Sequence, residues 1–195
     1  MINLIFASAN IHKLEEVNKV IDTSKFTLRN LKDVGIFEDI VEDGSSLEEN
    51  ALIKARFVYN KTNENVFSED TGLEVFALGG NPGVNTARYG GPQKNANDNM
   101  NLLLNNLSNH NDRSAQFRAC IALIYNGKEV LFEGIVKGVI AKNRSGIAGF
   151  GYDPIFIPEG YNNSFAELPN DIKLSISHRT RAINKMITFL DNLED

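Results

Sequence analysis

Short apolar blocks alternate along this chain with apolar stripes at helical spacing, the signature of strands interleaved with helices. Ile2 to Ala7 is an apolar run of strand length that gives way to Ser8-Ala9-Asn10. Asn10 is a good N-cap for the helix traced by Ile11, Leu14, Val17, Val20 and Ile21. Phe26 to Leu31 predicts a second strand, and Ser46-Leu47-Glu48-Glu49 is a capping box opening a helix through Ala51, Ile53, Ala55 and Val58. Val66 to Ser68 predicts a short strand and Glu74 to Leu78 another, followed by a loop from Gly79 to Gln93 rich in Gly and Pro. Asn95 to Leu107 reads as a helix on Met100, Leu103, Leu104 and Leu107. Gln116 to Tyr125 and Glu129 to Ala141 are long β-rich runs joined by Asn126-Gly127, a strong hairpin signal. Ile155 to Ile157 predicts a short strand, and Ser177 caps a final helix through Ala182, Ile183, Met186, Ile187, Phe189 and Leu190. The expected class is α/β with a long central hairpin, one domain over residues 1–195, folded as two lobes with a cleft and no sequence boundary between them.

Composition narrows this little. A hydrophobic content of 42% and a charged content of 23% suit an ordinary globular chain. A net charge of -5 argues against general nucleic-acid binding, which needs a basic surface. The single cysteine, Cys120, lies in an apolar run, so it forms no internal disulfide and reads as a buried, inert thiol. No run approaches the ~18 apolar residues of a membrane span, and the N-terminal apolar run is too short for a signal peptide. The expected location is therefore the cytoplasm. The chain carries 25 asparagines, so any one of them is weak evidence of function.

Chemistry concentrates in a few segments. Gly149-Phe150-Gly151-Tyr152-Asp153-Pro154 sets an aromatic between glycines, then a second ring and a carboxylate. A planar heterocycle needs such a stacking face, close backbone and edge-reading group, although the same residues could form a turn whose rings join the core. Ser8, Asn10 and Lys13 stand where a strand opens into a helix, an arrangement suited to phosphate but equally that of a plain capped helix. Glu69-Asp70-Thr71-Gly72 puts two acids directly after a strand, with Glu42 and Asp43 upstream as further oxygen donors. Oxygen-only ligands of this kind suit Mg²⁺. Lys54 lies on the capping-box helix, and Lys173, Ser177, His178 and Arg179 cluster near the start of the last helix. No zinc pattern, nucleophile elbow or phosphate-loop signature is present.

The ordered set SANIHK, ENALIKAR, FSEDTGLEV, PGVNTARYGG, GFGYDPIF and SISHRT runs from residue 8 to residue 180. This set resembles the inosine triphosphate pyrophosphatase family, hydrolases that remove deaminated purine nucleoside triphosphates. The resemblance implies an elongated mixed sheet with flanking helices, two lobes around a central cleft, and a homodimer. It implies an enzyme that hydrolyses ITP, dITP or XTP between the α- and β-phosphates with Mg²⁺, Mn²⁺ being the alternative. By position, Ser8, Asn10, Lys13 and Lys54 resemble the triphosphate cradle, and Glu42 and Asp70 the metal carboxylates. Asp70 also matches the presumed proton acceptor, and Thr71 a hydroxyl that contacts substrate. Phe150, Gly151, Tyr152 and Asp153 look like the base-binding wall, with Lys173, His178 and Arg179 as readers of the purine edge. Glu69 departs from the Asp that many relatives carry. Two rival readings are a catalytically silent nucleotide sensor on the same fold and a pyrophosphatase for other modified nucleotides. The intact Asp70, Lys13 and Lys54 speak against the sensor.

Overall fold

Asn10 does what its position predicts. Its Oδ1 accepts the backbone N–H groups of His12 at 3.0 Å and Lys13 at 3.2 Å, which starts α1 (Ile11–Val20) directly after β1 (Ile2–Phe6). The computed structural model describes residues 1–193, and the last two positions of the 1–195 span lie outside the described residues. β1 pairs in parallel with β2 (Phe26–Asn30) and with β3 (Val66–Val75). Parallel neighbours need crossovers, and α1 and α2 (Leu47–Thr62) supply them. Ser46 Oγ caps α2 by accepting Glu49 N–H at 3.1 Å, while the Glu49 carboxylate takes Ser45 N–H at 2.6 Å, one residue earlier than a capping box would have it.

The two-residue β4 (Pro82–Gly83) lies antiparallel to β3, and Asn95 caps α3 (Ala96–Asn106). β5 (Ser114–Tyr125) and β6 (Lys128–Ile140) form the expected hairpin, with Asn126 at φ 49° and Gly127 at φ 76°, left-handed values that this turn requires. β7 (Phe156–Pro158) pairs antiparallel with β6, and α4 (Asn170–Ile176) and α5 (His178–Asp191) follow. The strand order is β2-β1-β3-β5-β6-β7 with β4 on β3, a mixed seven-stranded α/β sheet. No helix among the described residues is long and apolar enough to cross a membrane.

The chain divides into two compact units. Unit 1 comprises Met1–Asp70, Ala119–Gly134 and Arg179–Asp195; unit 2 comprises Thr71–Arg118 and Ile135–His178. The core of unit 1 gathers Leu4, Phe6, Val17, Phe67, Ile121, Ile183 and Met186, with Phe6 stacked on Phe67 at 4.8 Å and 21°. Unit 2 has its own core on Leu73, Leu103, Phe117, Ile155, Phe156 and Phe165. Truncating a buried Phe in such a core costs about 3–5 kcal/mol, so each core is a substantial term by itself.

One sequence expectation fails in an instructive place. Val66–Val75 is a single ten-residue strand, not a short strand, a glycine turn and a second strand. Gly72 is buried within it, and residues Phe76–Leu78 form a 3₁₀ turn that ends at Gly79 with φ 61°. Neighbour pairing overrode the local turn signal of Gly72. β4 and α4 had no signal strong enough to be read beforehand.

Candidate active site

In unit 1, β1 ends beside the start of β3 and the chain leaves it at Ser8, while β3 runs on past that pairing through Glu69 and Asp70. Ser8 Oγ accepts Asn10 N–H at 3.2 Å, which holds the capping turn in shape. Lys13, one turn into α1, points back to β3: its Nζ lies 3.3 Å from Glu69 O and 3.5 Å from Glu69 Oε1. Its side chain keeps only 14% exposure. Burial lowers its pKa below the ordinary lysine value; Glu69 and Asp70 pull the other way, while Lys54 and Arg179 add to the lowering. The ammonium is therefore held where its charge is under-compensated.

Lys54, on α2, donates to Glu42 and, at 3.3 Å, to Asp70 Oδ1. Asn50, one turn earlier on the same helix, donates from Nδ2 to Asp70 Oδ2 at 3.3 Å. Both oxygens of Asp70 thus have a donor from α2. Ser68 Oγ donates to Ala51 O and ties β3 to the middle of that helix.

Arg179 is the surprise. The purine-edge reading would have its guanidinium open to a base; instead it is filled by carboxylates, with its side chain 2% exposed. Nε donates to Glu69 Oε2 at 2.6 Å, Nη2 to Glu69 Oε1 at 3.0 Å, and Nη1 to Glu16. Burial works against its charge, but Glu69 and then Glu16 outweigh that, and its pKa is raised. Arg179 therefore belongs with the charged cluster of unit 1, as the clamp on Glu69.

Unit 2 holds the other candidates. Gly149 takes φ 76°, and a Cβ there would stand 2.1 Å from Asp153 Oδ2. Only glycine lets the chain turn back so that Asp153 Oδ2 accepts Phe150 N–H at 2.8 Å. The same oxygen accepts Lys173 Nζ at 2.7 Å, and that ammonium lies 5.0 Å from the centre of the Phe150 ring and 5.8 Å from that of Phe165. Tyr152 is buried in the core, and its hydroxyl donates to Thr86 O at 2.9 Å. Burial, followed by Tyr89, pushes its pKa up, so it stays a donor. Phe150, Gly151 and Thr71 are half-buried, whereas Asp153, Lys173 and His178 are buried. His178 stacks on Phe117 at 4.8 Å and 14°.

The chain matches the model of the Ham1 family over residues 4–189. A dITP/XTP pyrophosphatase of Flavobacterium johnsoniae is 48% identical over 187 residues, covering 96% of this chain and 97% of that protein. The solved Ham1 protein of Staphylococcus aureus is 37% identical with a TM-score of 0.89, covering 97% of this chain and 98% of its own. That of Coxiella burnetii is 34% identical with a TM-score of 0.91, covering 98% and 100%. The chain belongs to the Ham1 family.

Within this Ham1 fold the sequence candidates fall into two groups. Ser8, Asn10, Lys13, Glu42, Lys54 and Asp70 lie in unit 1, joined there by Arg179; Thr71, Phe150, Gly151, Tyr152, Asp153, Lys173 and His178 lie in unit 2. Sequence reading missed Glu16 and Asn50. Each stands one helical turn from a lysine that was read, Glu16 after Lys13 and Asn50 before Lys54, and that spacing was the available signal. Chemically, unit 1 offers cations for phosphate oxygens and an ionisable carboxylate held by two donors. Unit 2 offers a half-buried ring beside a fixed ammonium.

Proposed function

We propose that the protein hydrolyses deaminated purine nucleoside triphosphates, ITP, dITP and XTP, at the α–β phosphoanhydride, releasing the monophosphate and pyrophosphate. The chain is an enzyme of the Ham1 family, a hydrolase of nucleoside triphosphates. The observation that carries the finer reading is Asp70, held by Lys54 and Asn50 beside the under-compensated Lys13. The relatives named dITP/XTP pyrophosphatase support it through near-complete coverage of both chains.

Hydrolysis at phosphorus needs charge neutralisation and an aligned water more than a covalent nucleophile. In this reading Asp70 accepts a proton from the attacking water as its oxygen bonds to phosphorus and the α–β P–O bond breaks. Lys13 and Lys54 take phosphate oxygens, and the loss of burial cost on Lys13 favours binding of the anion. Among the described residues no group of three or more His, Cys, Asp or Glu forms a ready metal cage. Mg²⁺ does not require one, because it uses one or two carboxylates together with substrate phosphates. Glu42 and Asp70, both oxygen donors drawn to Lys54, fit that demand, whereas Glu69 is committed to Arg179. When bound there, Mg²⁺ would neutralise phosphate charge, and Mn²⁺ could substitute.

Residues of unit 2 take the base. Phe150 supplies a stacking face, and Lys173, fixed by Asp153, donates to the 6-keto oxygen of hypoxanthine or xanthine. Adenine presents an amino group there, leaving the ammonium facing another donor, which is costly when buried. The whole chain acts as one catalytic domain and, as the family resemblance implies, works as a cytoplasmic homodimer. Side-by-side rates for ITP, XTP, ATP and dUTP with Mg²⁺ test this selectivity. ITP and XTP should be turned over at least about 100-fold more efficiently than the other two; comparable rates for all four would refute it.

A further inference from the structure

Asn50 is 3% exposed, in the first turns of α2, and its amide is the only neutral side chain whose hydrogen bond to Asp70 is seen among the described residues. Its orientation is decided from the other side. Gly44 N–H donates to Asn50 Oδ1 at 2.9 Å. An amide whose oxygen faces an N–H must turn its NH₂ away, and here that NH₂ meets Asp70 Oδ2 at 3.3 Å. The approach is close enough to require glycine: a Cβ on Gly44 would lie 2.7 Å from Asn50 Oδ1 and 2.8 Å from Glu49 Cβ. Lys54 Nζ holds the opposite oxygen, Oδ1, at 3.3 Å. A cation alone would let the carboxylate swing about that one contact; a second donor on the other oxygen fixes its plane.

We propose that Asn50 is a positioning residue for Asp70, set by the Gly44 backbone, which keeps one carboxylate oxygen aimed at the attacking water. The role rests on the reading of Asp70 as the proton acceptor. It assigns a task to the Gly44–Asn50 contact that a simple helix-start contact would not have. Asn50 touches neither substrate nor phosphate in this role, so its loss should act on turnover and leave substrate affinity alone.

The test is steady-state kinetics on ITP with Mg²⁺, with calorimetric ITP binding and thermal melting of each variant alongside. Asn50→Ala should lower kcat by about 10- to 100-fold with KM within about twofold of the parent. Asn50→Asp keeps the shape but sets an oxygen against the carboxylate, and should lower kcat at least as far. A role in packing alone would tolerate that isosteric change. Gly44→Ala should lower kcat in the same direction, because its methyl would crowd Asn50 Oδ1. The proposal is overturned if Asn50→Asp keeps kcat within about twofold or if KM rises at constant kcat. Asp70→Asn in the same assay separates the two layers. If it keeps turnover, the proton acceptor is misassigned and this role for Asn50 falls with it. If it loses turnover while Asn50→Asp does not, only the positioning role falls.

Discussion

The two units bury polar groups in opposite styles. Unit 1 crowds Lys13, Lys54 and Arg179 against Glu16, Glu42, Glu69 and Asp70, with one cation, Lys13, held at a lowered pKa. Unit 2 buries the Asp153–Lys173 pair among aromatic rings. In the proposed reading, unit 1 suits a polyphosphate and unit 2 a flat base. A polyphosphate brings negative charge that a buried ammonium such as Lys13 can meet, whereas a flat base needs a ring and a donor whose position is fixed. A buried pair alone is weak evidence for stability, since desolvation offsets attraction. Its value in unit 2 is that Asp153 sets where Lys173 and the Phe150 backbone stand.

The sharpest way to break this division is at Asp70. Asp70→Asn should lower kcat by about 1000-fold, within the range for removing a general base, and leave ITP binding nearly intact by calorimetry. Loss of binding instead would make Asp70 a phosphate-site scaffold. Next, Lys173→Ala should lower kcat/KM for ITP by about 100-fold while the residual ATP rate stays put. An equal fall on both substrates would mean that Lys173 serves phosphate or fold. Gly149→Ala should cost about 1–3 kcal/mol in urea unfolding and raise KM for ITP, because a Cβ collides with Asp153 Oδ2. An unchanged KM would detach Asp153 from base recognition.

The smallest effect is also the most diagnostic of unit 1. Lys13 has its folded pKa below the ordinary 10.5, so between those two values the unfolded state binds more protons, and stability rises with pH through that window. Below the window the charge carries its full burial cost. Lys13→Met should therefore raise the Tm of the nucleotide-free protein by about 2–4 °C at neutral pH, with the gain shrinking toward pH 10.5, while activity falls. A drop in Tm would show that Lys13 is held by Glu69 for stability, with no charge kept in reserve for phosphate.

Much of the fold was legible because local signals agreed with the tertiary outcome. Asn10 and Ser46 cap the helices their positions predict, and Asn126-Gly127 turns the hairpin. Gly72 misled because strand pairing overrides an isolated glycine, and α4 begins at Asn170 without a side-chain cap to announce it. For the candidate site, residue types marked the segments but not the partner of each side chain. Arg179 looked like a base reader beside His178, yet Glu16, distant in sequence, claims one arm of its fork. Asn50 was hidden among 25 asparagines, and only the fold shows that Gly44 and Asp70 lie on its two sides. Which carboxylate meets which cation depends on the pairing of β1 with β3, which no local pattern encodes.

The central claim is hydrolysis of the α–β anhydride, and product analysis of ITP incubated with the purified protein and Mg²⁺ tests it most directly. The account predicts inosine monophosphate and pyrophosphate in equal amounts, formed without a diphosphate intermediate. Inosine diphosphate with orthophosphate, or ITP bound and left intact, would contradict it.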